Sequence, residues 1–180
     1  VETWERMDAE IRNVVVGRVL SMVRHPNSDH MFICQVDVGR EEPVQIVTGA
    51  QNVHEGDLVP VALHNSYLPG GVHITKGKLR GEVSNGMLCS FAELGLTQND
   101  LPGAYADGIW ILNDEDCKVG EDINLVIGND DTIVDFEITN NRPDCYSIIG
   151  LARETAAAFG KTMKHHEPVV RGSDAGSIFE

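Results

Sequence analysis

Phe32-Ile33-Cys34-Gln35-Val36-Asp37-Val38, followed by Gly39-Arg40-Glu41-Glu42-Pro43 and then Val44-Gln45-Ile46-Val47-Thr48, decides the fold. Phe32, Cys34, Val36 and Val38 alternate with Ile33, Gln35 and Asp37, the period-2 pattern of a half-buried strand. The polar turn separates it from a second β-prone run, so the two read as a hairpin. Upstream, Val14-Val15-Val16-Gly17-Arg18-Val19-Leu20 is β-branched and opens the series. Downstream, Leu58 to Leu63, Val83 to Ser90 and Ile109 to Leu112 continue it, with turn signals at Pro69-Gly70-Gly71, Gly77 and around Pro102-Gly103. Short strands at regular turn signals with hardly any helix argue for a small closed barrel or a sandwich. A five-stranded Greek-key barrel of the oligonucleotide/oligosaccharide-binding (OB) type, with extra strands and turns, fits between Arg12 and about Gly128.

The pattern changes at Asn140-Asn141-Arg142-Pro143-Asp144. Pro143 suits a helix start, and Asp144 suits its N-cap or the charge of its first turn. Cys145, Ile148, Ile149, Ala152, Ala156 and Phe159 then recur at helical spacing and make one apolar face. Gly160 suits the C′ position, and Lys161 and Lys164 favour the helix C-terminus. The sequence thus divides into a linker at 1–11, a barrel domain at 12–138, part of a second domain at 139–164 with a helix over 144–159, and a polar tail at 165–180. Either the helix packs back on the barrel, or the partner of its apolar face lies outside this chain.

At 180 residues the chain can hold one core, or one core and part of another. Its 28 acidic and 14 basic residues leave a net charge of −14, which repels nucleic acid on average. Any RNA contact must come from a local basic patch. No apolar run approaches the roughly 20 residues of a membrane helix. The start, Val1-Glu2-Thr3-Trp4-Glu5, shows neither a signal-peptide pattern nor an initiator Met, so a natural N-terminus upstream is expected. Cys34, Cys89, Cys117 and Cys145 include no Cys-x-x-Cys pair. They are expected as buried thiols in a reducing, cytoplasmic setting.

His25-Pro26-Asn27-Ser28-Asp29-His30 gathers two imidazoles and a carboxylate, but its proline and turn residues favour a hydrogen-bonded turn over a metal site. His165-His166 reads as solvated. Ser84, Ser90 and Cys89 lack a nucleophile elbow, and no Gly-rich phosphate loop occurs, so no active site is complete. The basic cluster is Lys76-Gly77-Lys78-Leu79-Arg80-Gly81. Alternation in an extended segment would turn Lys76, Lys78 and Arg80 the same way, either as a phosphate-attracting surface or as a solvated face. Ser84, Asn85 and Ser90 follow closely and could add hydrogen bonds to a shallow phosphate-and-base surface. Trp4, Tyr67, Phe91, Tyr105 and Trp110 cannot be assigned to one face from spacing.

Three blocks in order carry a resemblance: His25-Pro26-Asn27-Ser28-Asp29 with Val36-Asp37-Val38-Gly39, then Ile46-Val47-Thr48-Gly49-Ala50-Gln51-Asn52-Val53, then Leu79-Arg80-Gly81-Glu82-Val83-Ser84-Asn85-Gly86-Met87-Leu88-Cys89-Ser90. They resemble the tRNA-binding OB domain shared by several aminoacyl-tRNA synthetases and their cofactors. Ile138-Thr139-Asn140-Asn141-Arg142-Pro143-Asp144-Cys145-Tyr146-Ser147-Ile148-Ile149-Gly150-Leu151-Ala152-Arg153-Glu154 is similar to the stretch that follows this barrel in bacterial phenylalanyl-tRNA synthetase beta subunits. The resemblance implies a non-catalytic module of a ligase that joins phenylalanine to its tRNA with ATP and magnesium, in an (αβ)₂ assembly with an alpha subunit. It places no cofactor in this stretch and makes the region after the barrel part of an incomplete α/β domain. On this reading Lys76, Lys78, Arg80, Ser84, Asn85 and Ser90 meet tRNA. The rival is a structural or protein-interaction barrel with little RNA affinity, which the acidic balance favours.

Overall fold

The computed structural model describes residues 1–101, 107–113, 117–165, 167 and 169. Its strands are β1 (Thr3–Arg6), β2 (Arg12–Arg24), β3 (Phe32–Asp37), β4 (Val44–Thr48), β5 (Leu58–Leu68), β6 (Val72–Ile74), β7 (Gly77–Leu79), β8 (Glu82–Ser84), β9 (Gly86–Leu88) and β10 (Thr132–Asp135). Two α-helices, α1 (Ile123–Val126) and α2 (Ile148–Ala158), complete the regular elements with four short 3₁₀ turns. Two compact units result, one from Thr3 to Val134 and one built from Asp135 onward with Val1–Glu2.

In the first unit the main sheet runs β4-β3-β2-β5-β6, and β9 also pairs with β5. β3 and β4 form the expected hairpin, from Phe32↔Thr48 to Val36↔Val44. The 13-residue β2 serves two neighbours: its first half pairs with β5 and its second half with β3. The register shifts between Val19 and Ser21, so Leu20 is an extra residue there. Such a bulge bends a strand and lets one sheet curl toward closure.

Closure comes from the segment that links β8 to β9. Asn85 N donates to Gln45 O at 2.9 Å, and Gln45 Nε2 donates to Val83 O at 2.8 Å. Val47 N donates to Ser84 Oγ at 3.0 Å, and Ser84 Oγ donates to Gly86 O at 2.8 Å. These bonds satisfy the backbone of β4 where an open sheet would present an edge. The architecture is mainly β, a nearly closed antiparallel OB-like barrel.

Val19, Cys34, Val36, Ile46, Val59, Val61 and Leu88 belong to one buried cluster, which fills the barrel. Val14, Val16, Leu58 and Ala62 point the other way, into a second cluster with Leu94, Leu112, Cys117 and Ile123. The chain after β9 therefore lies over the outer face of β2 and β5. That cover explains why Leu58 to Leu63 is apolar without alternation, since both of its faces are buried. It also corrects the strand expected at Ile109 to Leu112. Only Leu112 makes a bridge, to Leu58, and the rest acts as covering loop. α1 starts where Asp122 accepts from Asn124 N, and Asn124 Nδ2 reaches Ile11 O at 3.0 Å.

Thr3–Arg6, within the stretch read as a linker, is a strand paired with β10. Its four exposed residues carry no apolar alternation, and only a partner far along the chain makes it a strand. The division between units falls after Val134, a little before the expected boundary at 138.

In the second unit the expected helix over 144–159 is split. Pro143–Tyr146 forms a 3₁₀ turn, and α2 begins only after Ser147, whose Oγ caps it by accepting from Gly150 N at 3.0 Å. Asp144 is not the N-cap, because Arg142 holds its carboxylate with two hydrogen bonds of 3.1 and 3.0 Å. Arg142 Nη2 also reaches Glu154 Oε2 at 2.7 Å, tying the turn to the helix. A side chain at position 150 would drive its Cβ into Asp144 O, so only glycine allows this approach. At the far end Gly160 N bonds Ala157 O and Lys161 N bonds Ala156 O, a Schellman closure at the expected glycine. The apolar face remains open, with Ile148 88% and Phe159 74% exposed. It borders a groove of about 790 Å³ that Phe136, Leu151 and Met163 also line. The turn expected near Pro102-Gly103, Tyr105, His166 and nearly all of the tail lie outside the described residues.

Candidate nucleic-acid interface

The basic cluster folds into a hairpin. β7 and β8 pair as Gly77↔Ser84, Lys78↔Val83 and Leu79↔Glu82, leaving Arg80-Gly81 as a two-residue turn. Arg80 has φ 49° and Gly81 φ 101°, the left-handed conformations that a type I′ hairpin turn requires. Gly81 takes this at no steric cost, while Arg80 carries some strain. The expected alternation therefore fails at its last member. Lys78 sits on a strand, but Arg80 stands at the tip and does not share its side of an extended chain.

The tip is held from behind by the first sequence block. His25 is buried; its Nδ1 accepts from Asn27 N at 3.0 Å and its Nε2 meets Leu79 O at 3.0 Å. Asn27 Nδ2 adds a bond to Arg80 O. With its own carbonyl already satisfied by this contact, the turn presents Arg80's guanidinium outward. His25 is thus a structural histidine within the expected hydrogen-bonded turn. Among the described residues, no three His, Cys, Asp or Glu side chains are grouped to hold a metal.

Lys76, Lys78 and Arg80 are exposed, and their charged groups form no ion pair among the described residues. Lys76 and Asn85 meet in a shallow cleft of about 690 Å³ that Arg40, His64, Glu41 and Glu42 also line. Lys76 N donates to His64 Nδ1 at 3.1 Å, which fixes the entry to that cleft. The two glutamates set a limit on how strongly an anion is held there. Lys78 and Arg80 lie outside it.

Ser84 and Ser90 are spent internally. Ser84 is 5% exposed and forms the barrel seam. Ser90 N and Oγ both donate to Glu93 Oε2, at 2.7 and 2.9 Å, and Glu93 N returns a bond to Ser90 Oγ, a capping box for the turn at Ala92–Leu94. The Ser90-x-x-Glu93 spacing carries that signal in the sequence. Of the six residues expected to meet tRNA, four remain available.

A second group was missed in the sequence. Arg12, Tyr67 and His73 are register partners on three adjacent strands, Arg12↔Tyr67 across β2–β5 and Tyr67↔His73 across β5–β6. The Arg12 guanidinium lies 4.9 Å from the Tyr67 ring centroid, and the Tyr67 and His73 rings stack at 4.5 Å with 9° between planes. Those separations match the strand spacing of about 4.8 Å, so the three groups stand in one row across the sheet. Ser66 and Leu68 are buried, Leu68 in the second cluster, while Tyr67 between them is 37% exposed. Phe91 is buried, Trp110 packs on the outer cluster and Trp4 is exposed on β1, so the aromatics do not share one face.

All four cysteines are buried thiols. Burial pushes Cys34 up to about 11 and Cys89 up to about 12, so neither is a nucleophile near neutral pH.

A curled, nearly closed antiparallel sheet with a clamped cationic hairpin on its surface defines a barrel of the OB class. The model of the putative tRNA-binding domain family matches residues 14–121, and the chain belongs to that family. Over most of its length it is similar to proteins named phenylalanine–tRNA ligase beta subunit. Identity is 57% over 148 residues with that of Clostridium acetobutylicum, covering 82% of this chain and 18% of the relative. It is 52% over 151 residues with that of Clostridium tetani (84% and 18%) and 44% over 171 residues with that of Geobacillus kaustophilus (95% and 21%). The chain therefore spans about a fifth of the length of these relatives. Among solved structures, the C-terminal domain of Plasmodium vivax p43 superposes with a TM-score of 0.43 at 22% identity, over 63% of this chain and 59% of that one, too loosely to add to the argument. No helix among the described residues is long and apolar enough to cross a membrane.

Proposed function

We propose that this chain is a non-catalytic tRNA-binding module of a bacterial phenylalanyl-tRNA synthetase beta subunit. Lys76, Lys78 and Arg80 attract phosphate, and Asn85 adds a hydrogen bond beside Lys76. The observation that carries the reading is the clamped hairpin: Lys78 and Arg80 stand exposed on it and Lys76 just before it, with no ion pair among the described residues, in a chain of net charge −14. The clamp fixes the backbone that carries Lys78 and Arg80, and a local cluster of like charge can attract phosphate despite the acidic whole. Ser84 is left out of the proposed interface because it closes the barrel seam, and Ser90 because its hydroxyl and amide are engaged by Glu93.

On this reading the ligation of phenylalanine to its tRNA, with ATP and magnesium, takes place outside this stretch, in a cytoplasmic assembly with an alpha subunit. The open face of α2 is then covered by other parts of a chain about five times as long as this one. The rival, a barrel that positions neighbouring domains and barely touches RNA, is favoured by the net charge alone.

Fluorescence anisotropy of labelled tRNA(Phe) with this chain at low salt tests the reading. Saturable binding is expected, and its absence would overturn the proposal in favour of the rival.

A further inference from the structure

Tyr67 has both ring faces covered, by Arg12 on one side and His73 on the other, because its register partners flank it. His73 is exposed and has a ring partner on one side only among the described residues. Its strand, β6, pairs with β5 alone, and the imidazole makes no further ring or cation contact among the described residues. The row thus ends at the sheet edge in an exposed, flat π-surface. The ring is preoriented there by the stack behind it. An imidazole face accepts a nucleobase readily, and base stacking tolerates any of the four bases.

The chain around the row leads to the cationic cleft. Asn13, next to Arg12, donates its Nδ2 to His64 O at 2.9 Å, and His64 Nδ1 accepts from Lys76 N at 3.1 Å. Lys76 itself follows β6 by two residues. Lys76 and His73 are thus three residues apart on one strand end, close enough in sequence for one short stretch of single-stranded nucleic acid to reach both.

We propose that the outer face of His73 is a stacking site for one unpaired nucleobase of the bound RNA, with Tyr67 and Arg12 as the positioning residues that hold the imidazole flat. The proposal rests on the tRNA-binding reading and adds the base contact that the cationic hairpin lacks.

The test uses His73→Ala and His73→Phe in this chain, titrated with tRNA(Phe) across a salt series, and an adenylate hexamer followed by NMR of the His73 ring protons. His73 is exposed on a short edge strand, and an unchanged melting temperature checks that both variants fold. His73→Ala should weaken tRNA binding roughly tenfold, the lower part of the range for one lost stacked base, with the salt slope unchanged. His73→Phe should bind within about twofold of the parent, since a ring remains to stack. The hexamer should shift the His73 ring protons upfield. If the parent binds tRNA and His73→Ala binds equally well, the stacking site is overturned and the cationic reading stands. If the parent fails to bind tRNA, the reading of the preceding section falls. Hexamer addition that leaves the His73 ring protons unmoved overturns the stacking site whatever the tRNA result.

Discussion

His25 Nε2 lies 3.0 Å from the carbonyl oxygen of Leu79, so two blocks more than fifty residues apart meet as one clamp. The ring is 3% exposed, and its other nitrogen is engaged by Asn27 N. The turn at residues 25–29 thereby fixes the position of the cationic hairpin without contributing a charge to it.

His25→Ala should cost about 2–4 kcal/mol, combining a lost buried ring with a carbonyl left without its donor. Urea denaturation reads this, and amide exchange should quicken first in residues 77–84. An unchanged midpoint and unchanged exchange would show that the clamp is ornamental.

Ser84→Ala removes the acceptor for Val47 N at the barrel seam and should destabilise the fold by about 1–3 kcal/mol. The salt dependence of tRNA binding, measured under conditions where the variant is folded, should stay as in the parent. A changed slope at full folding would return Ser84 to the interface.

Much of the barrel was legible in the sequence because alternation survives where one face of a strand is buried, as in Phe32 to Val38. It was not legible where both faces are buried or where neither is. Leu58 to Leu63 gave no period because the chain after β9 covers its outer face. Thr3–Arg6 gave none because all four residues are exposed. The helix start was misplaced because Pro143 and Asp144 carry generic start signals, while the cap itself is Ser147. In the candidate interface, Lys76 and Asn85 could be read from the basic cluster and its neighbours. The internal use of Ser84 depends on β4, thirty-seven residues away, and the Arg12–Tyr67–His73 row exists only through the register of three strands. Tyr67 and His73 do sit symmetrically about Pro69-Gly70-Gly71, the one hint available from spacing.

The cysteines set a limit in alkali. Burial raises Cys34 to about 11 and Cys89 to about 12, with Glu93 adding to the latter. The unfolded chain gives up these protons near the ordinary thiol value of 9.0, whereas the native state keeps them. Native stability therefore does not change through these groups well below pH 9, and falls as pH rises from there toward 11 or 12. Urea midpoints at pH 8 and pH 10 should show the loss, reduced in Cys34→Ala compared with its own midpoint at pH 8. A thiol reagent at pH 8 should leave Cys34 and Cys89 unlabelled until urea unfolds the chain.

Gly150→Ala should disrupt the start of α2, because the new Cβ would overlap Asp144 O and force the turn and helix apart. Helical circular dichroism should drop while the barrel keeps its own unfolding midpoint. Loss of both signals together would mean that the two units unfold as one.

The salt dependence of tRNA(Phe) binding, compared between the parent and a Lys76→Ala/Lys78→Ala/Arg80→Asn variant, tests the central claim most directly. Asparagine is chosen at position 80 because it tolerates the left-handed turn that arginine occupies, so the charge is removed with the hairpin kept. Displacement of counterions at three phosphate contacts predicts a log–log slope of about −2 to −3 for the parent and a slope near zero, with much weaker binding, for the variant. A variant that binds with the parent's affinity and slope would contradict the account.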